Sequence, residues 1–202
     1  MTTGGVFPRR KLTDVALSML ASATRDALAR RESGRARDSV RVLRSSFGES
    51  EPTMVARHAA LVRMVSITEA YVDTLSMELL SAALGPPSAL MAKVLEEVEI
   101  SASGNWQRRE KTFSSLHGIS LRSGPRWTTI EAAIEARNSV AHGLGNLTTR
   151  QKRRRDIARQ LGRADIVVGG GRIYLTPASL RTVADATRGF ISWLDSQDPV
   201  VV

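Results

Sequence analysis

The most constraining feature of the sequence is segment 53–84, "TMVARHAALVRMVSITEAYVDTLSMELLSAAL", which contains neither glycine nor proline. Apolar residues recur along it at helical spacing, and Thr53 is suited to the N-cap position. The sequence GPP at 85–87 ends this helix, because proline lacks a backbone N–H and clashes with the preceding turn. One helix of this length favours a helical fold for the whole chain.

The remaining periodicity is also mostly helical. Apolar spacing predicts helices at 12–31, 89–101, 105–117, 127–142, 148–162 and 178–195, with a further short helix around 37–47. The segment "ADIVVGGGRIYLTP" at 164–177 is instead typical of a β-hairpin, because β-forming residues flank a glycine turn. The pattern therefore predicts an all-α protein with a small β-hairpin near the C-terminus.

The composition narrows the classes of site and partner. The chain has no cysteine, which excludes disulfides, thiolate nucleophiles and cysteine zinc sites. It has no long apolar run and no apolar secretion leader, so we expect a cytoplasmic protein with no membrane contact. The net charge of +9 suits a polyanion such as nucleic acid. Arginine supplies 25 of the 29 basic residues, however, and this is also typical of an arginine-rich proteome.

A candidate site lies in "IEARNSVAHGLGN", residues 134–146, where a predicted helix runs into glycines. On a helical wheel, Arg137 falls within an apolar stripe, and Asn138 and His142 share a neighbouring flank. The apolar members of the stripe are Ile130, Ala133, Ile134, Val140, Ala141 and Leu144. A guanidinium in such a stripe needs a carboxylate, a carbonyl, a phosphate or water as its partner.

Two acidic residues on the long helix could supply that partner. Glu69 and Asp73 are four residues apart amid apolar residues, so they lie on one face of the helix. Either could pair with Arg137 of the same chain or of a partner chain, and the alternative is that both lie on a solvated flank. His142 has its own ordinary interpretation, because a protonated histidine suits the C-terminal end of a helix.

A second candidate group is the basic run Arg153, Arg154 and Arg155, which follows His142 by about a dozen residues. These arginines could hold the phosphates of an RNA backbone, and the alternative is an ordinary solvated helix face. No metal site is predicted, because His58, His117 and His142 are far apart in the sequence.

The segment "WTTIEAAIEARNSVAHG", residues 127–143, closely resembles the signature helix of the HEPN superfamily. The motif of that superfamily is R-x(4–6)-H, often with a polar residue directly after the arginine, and Arg137, Asn138 and His142 match it. The segments "ARHAALVRMVSITEAYVDTLSMELL" and "GGGRIYLTPASLRTVADATRGFISWLD" resemble HEPN proteins of the RiboL-PSP group. The resemblance implies a HEPN-like antiparallel helical bundle over residues 51–202, with 1–50 as an N-terminal helical extension.

The resemblance also implies an activity, that of a metal-independent endoribonuclease of a toxin or anti-phage system, without a cofactor. Such enzymes form their active site where two motifs meet in a homodimer. His142 would act as general acid or base, and Arg137 would stabilise the charged phosphorane. Asn138 would orient the histidine or bind phosphate. Glu69, within "TEAY", resembles an acidic position of related HEPN helices, and the expected products carry 2′,3′-cyclic phosphate and 5′-OH ends.

Two other functions remain open at the level of sequence. Some HEPN domains are non-catalytic modules that bind RNA, a nucleotide or a protein partner. A basic helical DNA-binding regulator is a third hypothesis, although the chain has no convincing helix-turn-helix. If the chain is a toxin, the resemblance further implies a cognate antitoxin as a partner.

Overall fold

The structure is a computed structural model that describes residues 10–29, 52–85 and 88–197. Its helices, in chain order, are α1 (Lys11–Ala29), α2 (Pro52–Leu84), α3 (Ala89–Ser103), α4 (Trp106–His117), α5 (Trp127–Gly143), α6 (Thr149–Lys152), α7 (Ile157–Gly162) and α8 (Pro177–Asp195). Strands β1 (Val167–Gly169) and β2 (Arg172–Tyr174) form an antiparallel pair, and a short 3-10 helix (Leu121–Ser123) precedes α5. The prediction of an all-α fold with a small hairpin near the C-terminus is confirmed.

The long helix α2 is the centre of the fold, and α1, α4, α5 and α8 all contact it. Its side chains Leu61, Met64, Tyr71 and Leu75 are almost completely buried. Each apolar side chain buried in this way contributes roughly 1.5–3 kcal/mol to folding. Across the described ranges, no helix is both long and apolar enough to cross a membrane.

Helix α1 belongs to the same core. Buried Thr13 lies 3.0 Å from the Tyr71 hydroxyl, and its own hydroxyl donates to Asp195 at 2.7 Å. Arg10 also donates to the Asp195 carboxylate, at 3.1 Å. Burial is the main cause that raises the pKa of Tyr71 to about 12. Residues 11–29 therefore pack onto α2 and α8, whereas the short helix expected around 37–47 lies outside the described residues.

Two details of the predicted helices are wrong. The long helix begins at Pro52, so Thr53 lies inside its first turn and is not the N-cap. A proline is tolerated there because the first helical N–H groups have no intrahelical partner. The single basic helix expected at 148–162 is instead the pair α6 and α7, separated by residues 153–156. The break allows Gln151 and Arg154 to bond to Glu135 of α5, at 2.8 and 2.7 Å, and these contacts outweigh helix propensity.

The hairpin fixes the end of α5. Gly170 and Gly171 have φ values of 56° and 76°, and positive φ at both central residues is what a type I′ turn requires. The amide of Leu147 donates to the Gly171 carbonyl at 2.8 Å, and the amide of Ile173 donates to the Gly145 carbonyl at 2.9 Å. The turn that follows α5 is therefore held on both sides by backbone hydrogen bonds.

Two buried histidines make stability depend on pH. Burial lowers the pKa of His117, whose ring lies 2.9 Å from the Ser76 hydroxyl, below its ordinary 6.5. Burial, and then the charge of Arg172, lower the pKa of His58 as well, against an opposing backbone hydrogen bond. The unfolded chain then binds more protons below pH 6.5, so stability falls as the pH falls, by up to about 1.4 kcal/mol per pH unit for each histidine.

Urea unfolding at about pH 7.5 and pH 5.5 measures this effect. We expect the free energy of unfolding to be lower at pH 5.5. In His117→Asn the difference between the two pH values should shrink, because asparagine takes up no proton on unfolding. An unfolding free energy that is equal at both pH values would contradict the assignment.

Candidate active site at the end of α5

The C-terminal half of α5 is only partly covered by the rest of the chain. Its buried residues are Trp127, Thr129, Ile130, Ala132, Ala133, Ala136 and Ser139, which lie mostly toward the N-terminal half. Of the apolar stripe predicted from the sequence, Ala141 is exposed and Leu144 is 53% exposed. The C-terminal part of this stripe is therefore exposed to solvent, because α5 turns the face that carries Ala136 and Ser139 toward the core.

Arg137 is half-buried and incompletely paired. Its Nη2 lies 3.8 Å from Oε2 of Glu69, and its Nη1 donates to the Asn138 side chain at 3.4 Å. The prediction that one of the two acids of α2 pairs with Arg137 is thus confirmed for Glu69. The Nε–H group of Arg137 is buried and has no hydrogen-bond partner among the described residues. A buried donor without a partner is costly. The side chain as a whole is 30% exposed, so an anion would contact the guanidinium through its exposed part and not through Nε.

Glu69 holds Arg137 through a carboxylate that is itself fixed by α4. The indole N–H of Trp106 donates to its Oε1 at 2.9 Å, and Nη1 of Arg109 lies 3.7 Å from the same oxygen. The Trp106 ring also makes an edge-to-face contact with Trp127, at 5.7 Å between centroids, at the start of α5. Helix α4 therefore positions both the acid and the helix that carries Arg137.

Asp73 does not contact Arg137 and instead anchors Arg109. Nε and Nη2 of Arg109 each donate to one Asp73 oxygen at 2.8 Å. Nη2 also donates to the Ser103 carbonyl at 2.8 Å, and the Arg109 side chain is only 8% exposed. The solvated-flank alternative for Glu69 and Asp73 is excluded, because both carboxylates are partly buried and paired.

Reasoning from the sequence missed Arg109, which is the most buried charge of this network. The only available indication was its spacing of three residues from Trp106, which places both side chains on one face of α4. The sequence around a buried arginine does not differ from the sequence around an exposed one. The partners of Arg109 on α2 can therefore be identified only from the tertiary structure.

His142 lies in the last turn of α5 and is exposed. Its ring makes no hydrogen bond to a described residue, so it is free to exchange protons with a bound molecule. It is five residues from Arg137, or about 140° around the helix, and the two side chains do not stack on one face. Within one chain they border opposite sides of the same half-exposed helix end.

The helix end next to His142 differs from the prediction. Gly143 lies within the helix, and the left-handed residue that follows is Leu144, with φ 51°. Left-handed backbone is uncommon for leucine and adds local strain. Gly145 comes next with φ 89°, and its amide bonds back to the Ser139 carbonyl. Gly145 also lies directly against the ring of buried His58.

The three arginines of the basic run have different surroundings. Arg154 donates to Glu135 at 2.7 Å and lies 3.5 Å from Asp156, so it is engaged within the chain. Arg153 and Arg155 are exposed. In the parts of the chain that the structure describes, no three histidine or acidic side chains form a group that could hold a metal ion.

The chain matches no protein-family model, and it has no significant similarity to a curated protein or to a solved structure.

Proposed function

We propose that this chain is a metal-independent endoribonuclease of the HEPN type. The observation that supports it most is that Arg137, Asn138 and His142 all lie in the half-exposed C-terminal half of α5, with the His142 ring free of hydrogen bonds to the described residues. Arg137, Asn138 and His142 there are the residues that match the HEPN motif. The toxin or anti-phage setting, and with it a cognate antitoxin, rests on the resemblance alone.

The chemistry needs a base, an acid and a group that stabilises negative charge. The ribose 2′-OH loses its proton to a base and attacks the adjacent phosphorus, and the 5′-oxygen leaves after it takes a proton from an acid. The guanidinium of Arg137 stabilises the negative charge on the phosphorane through paired hydrogen bonds. His142 exchanges the proton as a general acid or base. Asn138 accepts a hydrogen bond from Arg137 and offers a neutral group to the phosphate.

One histidine cannot be base and acid in the same step, so the proposed enzyme is a homodimer. Among the described residues, His58 and His117 are buried, which leaves His142 as the exposed histidine of each chain. A second copy supplies the second His142. The chain also exposes apolar surface of the kind that an interface covers, at Leu90 (75% exposed) and Ile100 (66%) on α3 and at Leu144 beside the site.

The second candidate function is a non-catalytic HEPN module that binds RNA, a nucleotide or a protein partner. The contact between Arg137 and Glu69 favours it, because a carboxylate already compensates part of the guanidinium charge. The two functions differ in whether a covalent bond of RNA is broken.

The test compares three versions of one labelled 12-nucleotide strand, as RNA, as 2′-O-methyl RNA and as DNA, all with EDTA. We expect the protein to cut only the RNA and to leave 2′,3′-cyclic phosphate and 5′-OH ends, identified by mass. Cleavage of the 2′-O-methyl strand, or loss of all cleavage with EDTA, would contradict the mechanism. A folded dimer that binds the RNA without cutting it would favour the non-catalytic module.

A further inference from the structure

A polar cavity opens beside the N-terminal half of α5, away from His142. It has a volume of about 270 Å³. Its lining consists of Glu131 from α5 together with Arg154, Asp156, Arg159, Gln160 and Arg163 from the α7 region. Nearly all of these side chains are charged, which is typical of a site for an ion and not for an apolar ligand.

The acids at this cavity share their arginine partners. Arg122 pairs with Glu131 at 3.1 Å and with Glu110 at 3.0 Å. Arg154 pairs with Glu135 at 2.7 Å and lies 3.5 Å from Asp156. Arg159 and Arg163, in contrast, are exposed and form no ion pair with a described residue. The lining therefore carries three guanidinium groups against two carboxylates, and Arg159 and Arg163 are the two guanidinium groups without an ion-pair partner among the described residues. Their planar forks match the oxygens of a phosphate.

The cavity lies on the same flank of α5 as Asn138 and His142, whereas Arg137 lies about 120° away around the helix. Glu131, Glu135, Asn138 and His142 follow one another at spacings of four, three and four residues, which places them in one row along the helix. At the helical rise, Glu131 is about 16 Å from His142 along the axis. A nucleic-acid strand lying along this row would reach both ends within a few nucleotides.

We propose that Arg159 and Arg163 form a subsite for a backbone phosphate of the RNA strand that His142 cuts, a few nucleotides from the cleaved bond. The inference rests on the proposed function, and it assigns RNA contact to residues outside the run Arg153 to Arg155. The bonds from Arg154 to Glu135 and Asp156 fix the wall of this subsite against α5. Gln160 adds a neutral donor at the same cavity.

The test measures binding of a fluorescein-labelled 2′-O-methyl 12-mer, which cannot be cleaved through its 2′ position, by fluorescence anisotropy at about 0.1 M salt. The variant is Arg159→Gln with Arg163→Gln. The matched control is Arg181→Gln with Arg188→Gln, which removes the same charge from exposed positions on α8. We expect about tenfold weaker binding in the cavity variant and at most about twofold in the control, with a salt dependence reduced only in the former.

Each outcome decides the inference separately from the enzymatic activity. Equal weakening in both variants, or wild-type binding in the cavity variant, would overturn the subsite. The same would follow if the wild-type protein did not bind the strand. Cleavage of unmodified RNA by the wild type is measured in parallel. If the wild type cuts RNA but the cavity variant binds the strand normally, only the subsite is contradicted. If the cavity variant binds more weakly but the wild type does not cut RNA, only the ribonuclease function is contradicted.

Discussion

Replacing His142 with alanine is expected to abolish the metal-free RNA cleavage that we propose and to leave the fold unchanged. The loss follows from the removal of a general acid or base, which contributes about 10²–10⁴ in rate. The fold persists because the side chain is exposed and bonds to no described residue, and such substitutions usually change stability by less than about 0.5 kcal/mol. Initial rates with EDTA, and urea unfolding of the same samples, measure both quantities.

The matched control for this experiment is Arg181→Ala, an exposed substitution on α8 far along the chain from the motif. It should cleave RNA at the wild-type rate, which excludes a contaminating nuclease as the source of the difference. Full activity in His142→Ala would remove this histidine from the mechanism and with it the proposed site.

Replacing Gly145 with alanine will destabilise the protein by about 2–6 kcal/mol, the sum of backbone strain and forced overpacking. The backbone of Gly145 has φ 89°, which side chains rarely adopt. An added Cβ would lie 2.6 Å from the Cε1 atom of His58, closer than real atoms approach. His58 is buried, so its ring cannot move aside freely. The free energy of unfolding in urea measures the loss.

Two comparisons separate the backbone strain at Gly145 from the overpacking against His58. Gly170 also has positive φ, 56°, but an added Cβ there meets no atom within 4 Å, so Gly170→Ala should cost only the backbone strain, about 1 kcal/mol. A double-mutant cycle with His58→Ala should reduce the cost of Gly145→Ala, because the smaller side chain leaves room for the Cβ. Equal costs at Gly145 and Gly170 would show that the contact with His58 has no effect on stability.

The elements of this fold could be predicted from the sequence where the determinants are local. Ser88 precedes α3 and accepts a hydrogen bond from the Met91 amide, as a capping residue should. The glycine pair at 170–171 likewise forms the turn of the hairpin. In these places the residues that determine the structure are only a few positions apart, so a pattern in one chain is sufficient.

The environment of the candidate site could be predicted only in part. The apolar spacing of α2 placed Glu69 and Asp73 together, but it could not show that Arg109 of α4 binds Asp73. The break between α6 and α7 was missed for the same reason, since Gln151 and Arg154 bond to Glu135, more than a dozen residues away. Contacts across such distances depend on how the helices pack, which periodicity does not describe.

The pairing of α1 with α8 has a consequence for how the chain is made. Arg10 and Asp195 are 185 positions apart and yet bond to each other, and α5 also contacts α8. On the ribosome, α1 and α2 emerge first and must leave one side of their apolar surface open until α8 follows. The motif helix then lacks one of its supports for the same period. A ribonuclease with this topology would therefore acquire a rigid catalytic centre only after α8 has been synthesised.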